Sequence, residues 1–194
     1  MRTCKNFLSD AALKTLYFSI FHCHLSYAIL AWGTANKTAI DPIIKKQKNA
    51  IRIISRAPYN AHTEPLFKKH GILRFEDLHT FCQLEFFHSF TQNKLPKSFD
   101  GLWSINGAYN PVAARLRRAE TFFVPRARLN FSARFPLHAF PKLWNEFLDP
   151  ELKNTVSVNV FKDGLKNYFL NDLAANVYCG RAFCRDCFPN QEIQ

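Results

Sequence analysis

The sequence predicts a mainly α protein, with a helical bundle over residues 1–96, a smaller mixed α/β lobe over 97–173 and a cysteine-containing tail over 174–194. Three observations carry this. Apolar residues recur at helical spacing through the first half. Capping residues and prolines punctuate that half. Between 97 and 140 the helical period is lost, and Pro111, Pro125 and Pro136 interrupt the chain.

Ser9, followed by Asp10, Ala11 and Ala12, reads as a helix start. Leu13, Leu16, Tyr17, Ile20, Phe21 and His24 then recur at helical spacing, while Phe18, Leu25, Ile29 and Trp32 cover the other side. A helix apolar nearly all round must be sandwiched inside something. Gly33 is expected to end it. Asp41 and Pro42 open the next helix, a capping carboxylate with a proline at the first helical position. Along it Ile43, Gln47, Ala50, Ile51 and Ile54 fall on one face, and Lys45, Lys48, Arg52 and Arg56 on the opposite one. Pro58 ends it. Thr63 and Pro65 start a short helix that Gly71 closes after Lys68 and Lys69.

A further helix spans 76–92, with Leu78, Phe81, Cys82, Glu85 and Phe86 along one side; His79 and His88 are expected at the core edge or the surface. Leu95 and Pro96 stop it. Over 121–140, Arg126, Arg128 and Arg134 alternate with Leu129, Phe131 and Phe135, which reads as two short strands with a turn near Asn130. Pro141 opens a short helix to Phe147 that carries Trp144 as a core anchor. Phe161, Leu165, Tyr168 and Phe169 build a last amphipathic helix, ending near Leu173.

Composition narrows the function classes. The 194 residues carry a formal charge of +11, and 47% of them are hydrophobic, which excludes a disordered polar tail. Six scattered Cys do not make a secreted disulfide framework. The apolar run 16–32 holds His22, His24, Ser19 and Ser26 and is too short and polar for a membrane span. Arg2, Cys4, Lys5 and Asn6 make a poor signal-peptide start. An intracellular protein, nuclear or cytoplasmic, is expected.

The positive charge sits in blocks. Between 37 and 74 nine Lys and Arg face two acids, and between 115 and 134 six Arg face Glu120. From Pro150 onward the charges cancel. Such blocks suit a polyanion and equally suit a solvated basic face. On the 42–56 helix, four cations with no interleaved acid favour docking along a phosphate backbone over an ordinary amphipathic surface. In the second block Arg115, Arg117, Arg118, Arg126 and Arg128 are the candidate nucleic-acid contacts, and from Arg126 onward the arginines are interleaved with aromatics. That pattern serves phosphate contact and base stacking, but a half-buried hairpin with a basic outer edge shares it and fits slightly better.

No catalytic constellation is present. Two-metal nucleotidyl transfer needs clustered carboxylates, yet only Glu76 and Asp77 pair acids, at a helix start. Six singly scattered Gly make no phosphate-cradling loop. Cys184 and Cys187 have the gap of a zinc knuckle, with Cys179 a third thiolate, and Cys82 or His138 would have to supply the fourth ligand. Reduced free thiols are the simpler reading of this tail.

The words Ala11-Ala-Leu-Lys-Thr-Leu-Tyr-Phe-Ser, His24-Leu-Ser-Tyr27, Trp32-Gly33, Gln47-Lys-Asn-Ala-Ile-Arg-Ile-Ile54 and Ala61-His-Thr-Glu-Pro-Leu-Phe67 come in order along the chain, followed by Leu95-Pro96, Pro141-Lys-Leu-Trp-Asn145 and Phe161-Lys…Leu165-Lys…Tyr168. Together, over roughly residues 5–172, they resemble the C-terminal region of LINE-type (non-LTR) retrotransposon reverse transcriptases. The resemblance implies the thumb and post-thumb connector, a helical bundle that grips RNA, DNA or an RNA–DNA hybrid beside the palm. It implies that the fingers and palm, with the polymerase aspartates and their Mg, lie upstream of Met1, so this chain alone is not expected to be an enzyme or to need a cofactor. The sequence departs from the family in three places: Cys23 stands where a proline is usual, Tyr109-Asn110-Pro111 replaces Tyr-Asn-Thr-Arg, and Phe140 replaces a glycine. The rival expectation is a structural or interaction protein that self-associates through the apolar first helix.

Overall fold

The computed structural model describes residues 3–109, 120–129 and 132–175, and the described part is mainly helical with no strands. After a 3₁₀ turn at Thr3–Asn6, α1 (Asp10–Leu16) starts where the sequence predicts, with Ala12 N–H donating to the Ser9 hydroxyl at 3.3 Å. The helix then widens into a π-helical stretch, Tyr17–His22, in which Cys23 N–H reaches back to Phe18 O. It continues as α2 (Cys23–Ser26), breaks at Ala28 in the left-handed region (φ 49°) and resumes as α3 (Ile29–Trp32), which Gly33 caps. The expected single helix to Gly33 is therefore interrupted.

Helix α4 (Lys37–Ile54) begins five residues earlier than expected, and Pro42 lies inside it as the sixth residue. There it removes only the bond to Thr38 O, a loss the helix tolerates so close to its start. Helix α5 (Glu64–His70) runs as predicted, with Thr63 at its N-cap, Pro65 in its first turn and Gly71 (φ 63°) closing it. Helix α6 (Phe75–Thr91) buries more than the expected side. Leu84, Phe87 and His88 are fully enclosed, so His88 is a core residue and not an edge one.

The second half corrects one expectation outright. No hairpin forms among the described residues of 121–140. Instead, Ile105, at the start of the short α7 (Asn106–Tyr109), and Phe122 make one isolated antiparallel bridge. The physical reason is that Phe122 already has a partner. Its N–H donates to Asn145 Oδ1 at 3.1 Å, and its carbonyl accepts from Asn145 Nδ2 at 2.8 Å. Pro125 offers no N–H, and its carbonyl is taken by His138 Nδ1–H at 3.0 Å. Residues 132–134 turn as 3₁₀ helix into α8 (Pro136–Phe147), which starts at Pro136 and contains Pro141. The predicted Asn130 turn lies outside the described residues. Short α9 (Pro150–Lys153) leads to α10 (Val158–Ala175).

Two hydrophobic clusters fill the interior. The smaller joins Leu13 and Tyr17 to Ala50, Ile51, Ile54, Phe67 and Ile72. The larger runs from Leu25, Ile29, Phe75 and Phe87 through Trp103, Phe140 and Trp144 to Phe161, Leu165 and Phe169. It crosses position 96/97, so segments 1–96 and 97–173 share buried side chains. No helix among the described residues is long and apolar enough to cross a membrane.

Candidate nucleic-acid interface

The inner side of α4 fixes what its outer side presents. Ile51 and Ile54 are fully buried against Leu13 and Phe67. Gln47, equally buried, uses its whole amide. Nε2 donates to Tyr17 Oη and to Leu73 O, both at 3.0 Å, and Oε1 accepts Phe75 N–H at 2.9 Å. Phe75 is the first residue of α6, where the helix has no acceptor of its own for that N–H. One side chain thus ties the first helical segment, α4 and the start of α6 together, and burial raises the Tyr17 phenol against the opposing pull of Gln47. Rotation of α4 about its axis is pinned. Lys45 and Lys46 face solvent, and Lys48 is half-buried beside them.

The two arginines of the expected row are committed elsewhere. Arg52 Nε donates to Ala61 O at 2.9 Å, one terminal nitrogen reaches Asn49 Oδ1 at 3.4 Å, and the guanidinium lies 5.8 Å from the Tyr59 ring centroid. Arg56 is not on the helix. α4 ends at Ile54, and Arg56 takes the left-handed position (φ 53°) of the closing turn. Its N–H bonds to Ile53 O and that of Ala57 to Arg52 O, the pair of bonds that defines a Schellman close. Its side chain meets Asp10 Oδ1 at 2.9 Å and Leu8 O at 2.9 Å. Both partners are about half exposed, so this ion pair is worth about 0–1 kcal/mol.

Of the second basic block, Arg115, Arg117 and Arg118 lie outside the described residues. Arg126 and Arg128 are exposed on the extended segment that Asn145 and His138 hold against α8. That segment packs through Phe122 on the larger cluster, and α4 spans both clusters, with Ile40, Ile43 and Ile44 against the larger one and Ala50, Ile51 and Ile54 in the smaller.

The only acid pair in the sequence is consumed structurally on one side. Asp77 is 1% exposed and receives Arg74 Nε at 2.7 Å, and a terminal nitrogen of the same guanidinium lies 3.8 Å from Glu64 Oε1. Burial works against the Arg74 charge, but Asp77, Glu76 and Glu64 more than offset it and hold that guanidinium above its ordinary range. Among the described residues no group of three or more His, Cys, Asp or Glu is placed to hold a metal ion. Cys179, Cys184 and Cys187 lie outside them. Burial, helped by Glu85 and opposed by Lys162, pushes the Cys82 thiol up to about 11, which disfavours the thiolate a zinc ligand must supply. His138 spends Nδ1 on Pro125 O.

Two features escaped the sequence. Tyr59 is 78% exposed beside the Arg52 guanidinium, a pairing across a turn that helical spacing does not reveal. Lys14 of α1 and Lys69 of α5 meet around His70. Burial first, then these two cations, lower its pKa while Asp10 raises it, and its Nε2 is hydrogen-bonded to Ser55 Oγ at 2.9 Å. Residues so far apart in sequence carry no local signal. In comparisons with known proteins no family model matched the chain, and neither a curated protein nor a solved structure matched it.

Proposed function

We propose that this chain is a nucleic-acid-binding module, the thumb and connector portion of a LINE-type reverse transcriptase, which grips an RNA–DNA hybrid or duplex without performing polymerase chemistry itself. The observation that carries the reading is the two-sidedness of α4. Gln47, Ile51 and Ile54 are locked inward, and on the other side of the helix Lys45 stands exposed with Lys48, half-buried, one turn further on. Lysine ammonium groups on a rigid helix suit the phosphate rail of any sequence. Arg126 and Arg128 would add a second contact, and Arg52 and Arg56 shape the end of the first.

Binding to an RNA–DNA hybrid is expected to fall steeply with salt, and Lys45→Ala with Lys48→Ala should flatten the log–log salt slope by about two. Unchanged hybrid binding in low salt after alanine at Lys45, Lys48, Arg52 and Arg56 together would refute the reading. Primer extension by this chain alone should give no product.

A second reading rests on a different surface. Ile20 is 59% exposed, Phe18 39% and Tyr27 80%, on the first helical segment and the turn that follows it. This apolar face suits a neighbour, either the remainder of a polymerase or a second copy of the chain. Light scattering separates the two: a monomer that binds hybrid supports the grip, and oligomers indifferent to nucleic acid support self-association.

A further inference from the structure

We infer that Tyr59 is a stacking platform for one unpaired nucleobase, so that the α4 surface recognises a junction between duplex and single strand. This rests on the nucleic-acid reading above and adds a site to it. Tyr59 stands at the tip of a turn closed by Ala61 N–H to Pro58 O at 3.1 Å. The turn is tied to α4 through Ala61 O, which accepts Arg52 Nε at 2.9 Å, and the same guanidinium lies over one side of the Tyr59 ring.

An exposed tyrosine normally samples several rotamers and loses that freedom when it binds. Here the closed turn fixes the backbone that carries the ring and the guanidinium 5.8 Å from its centroid favours one placement, while its 78% exposure leaves ring surface open to a base. A base laid on that face would complete a guanidinium–phenol–base stack. Every base has such a face, so the site is sequence-tolerant, and only an unpaired base can reach it. The Arg52 charge beside the ring would draw the flanking phosphate.

The probe is an RNA–DNA hybrid with a single-stranded extension carrying 2-aminopurine, compared with the same hybrid cut blunt. The wild-type chain should quench the 2-aminopurine. Tyr59→Ala should abolish the quenching and weaken the extended probe about ten-fold, the size of one lost stack, with blunt-hybrid affinity unchanged. Tyr59→Phe should retain both. If Tyr59→Ala quenches and binds like wild type, or weakens both probes equally, the platform is refuted, while loss of both probes in Lys45→Ala/Lys48→Ala keeps the wider reading. If the wild-type chain binds neither probe, both fall.

Discussion

Seven buried residues make the smaller cluster beside the end of α4, fourteen make the larger, ring-rich one, and the Gln47 amide sits where the two meet, bonded to Tyr17 of the first and to Leu73 and Phe75 of the second. At that join every polar atom of Gln47 is matched, and the amide dictates how three segments meet. In the larger one Phe87 touches Phe90, Trp103, Phe122 and Trp144 with centroids 4.8–5.6 Å away, but Trp103 Nε1 and His88 Nδ1 are buried without a hydrogen-bond partner. Area stabilises the ring-rich cluster, and directional bonding specifies the join between the two. Lys45 and Lys48 of α4 flank Gln47 at that join, which is where a fixed orientation is of use.

The largest effects should come from the ring-built region. Phe87→Ala removes a fully buried ring from the centre of four others and is expected to cost about 3–5 kcal/mol in urea unfolding. A loss under about 1 kcal/mol would mean the cluster collapses freely into the gap, and the contrast drawn above would fail. Gln47→Ala is expected to cost less, about 2–3 kcal/mol, because it strands Tyr17 Oη, Leu73 O and the Phe75 N–H together. Tyr17→Phe removes one of these partners, and in the double variant its effect should not add to that of Gln47→Ala.

The same contrast explains what the sequence let one read. Helical class, the Ser9, Thr63 and Gly71 caps, and the inward Gln47, Ala50, Ile51 and Ile54 were legible because each is a local signal of sequence spacing or cap chemistry. The first segment misled because its buried residues, Leu13, Tyr17, Leu25 and Ile29, recur at multiples of four, wider than the ordinary helical turn. The π-helical stretch accounts for the step from Tyr17 to Leu25 and leaves Ile20 outside, where a 3.6-residue period places it within, and the left-handed break at Ala28 resets the register before Ile29. Both proline errors have one origin. The first-position rule holds at Pro136, whereas Pro42 and Pro141 sit sixth in their helices, and nothing local separates the cases. The hairpin failed through a distant partner, Asn145, that alternation cannot see. Phe140, a departure from the resembled family, is 2% exposed and stacks on Trp103 at 5.9 Å, so it fills the core here. Of the candidate residues, the outward placement of Lys45 was legible; the commitments of Arg52 and Arg56 were not, because they depend on turns.

Acid sharpens the comparison from the aromatic side. His79 stacks on Phe75, which stacks on Trp32, and its ring fills the space where Gly33 has no side chain, so that a Cβ there would collide with His79 Cδ2. Burial pushes this imidazole down to about 4, and Gln83 Nε2 lies 3.3 Å from its Nε2. The unfolded chain therefore binds a proton that the folded one refuses between about pH 6.5 and 4. His79's contribution is complete above that window and is lost as pH falls through it, by about 2 kcal/mol after allowance for partial exposure. Burial lowers His22 and His70 as well, in the same sense. An NMR titration should place the His79 midpoint near 4; a midpoint near 6.5 would show the stack open to water.

The smallest effect tests how far the cation row extends. Arg56, Gly71 and Asn93 are left-handed residues closing α4, α5 and α6, and only Gly71 does so without a Cβ penalty. Arg56→Ala keeps that penalty and loses the Asp10 pair, whereas Arg56→Gly loses the pair and relieves the backbone. The glycine variant should be more stable than the alanine one by about 1 kcal/mol and at least equal to wild type. Equal stability of the two would mean the ion pair and its bond to Leu8 O hold the turn. The hybrid salt slope then decides the role of the charge. If Arg56→Gly leaves the slope unchanged, Arg56 only joins α4 to the Leu8–Asp10 segment; a drop of about one would show that it leaves Asp10 for a phosphate when nucleic acid binds.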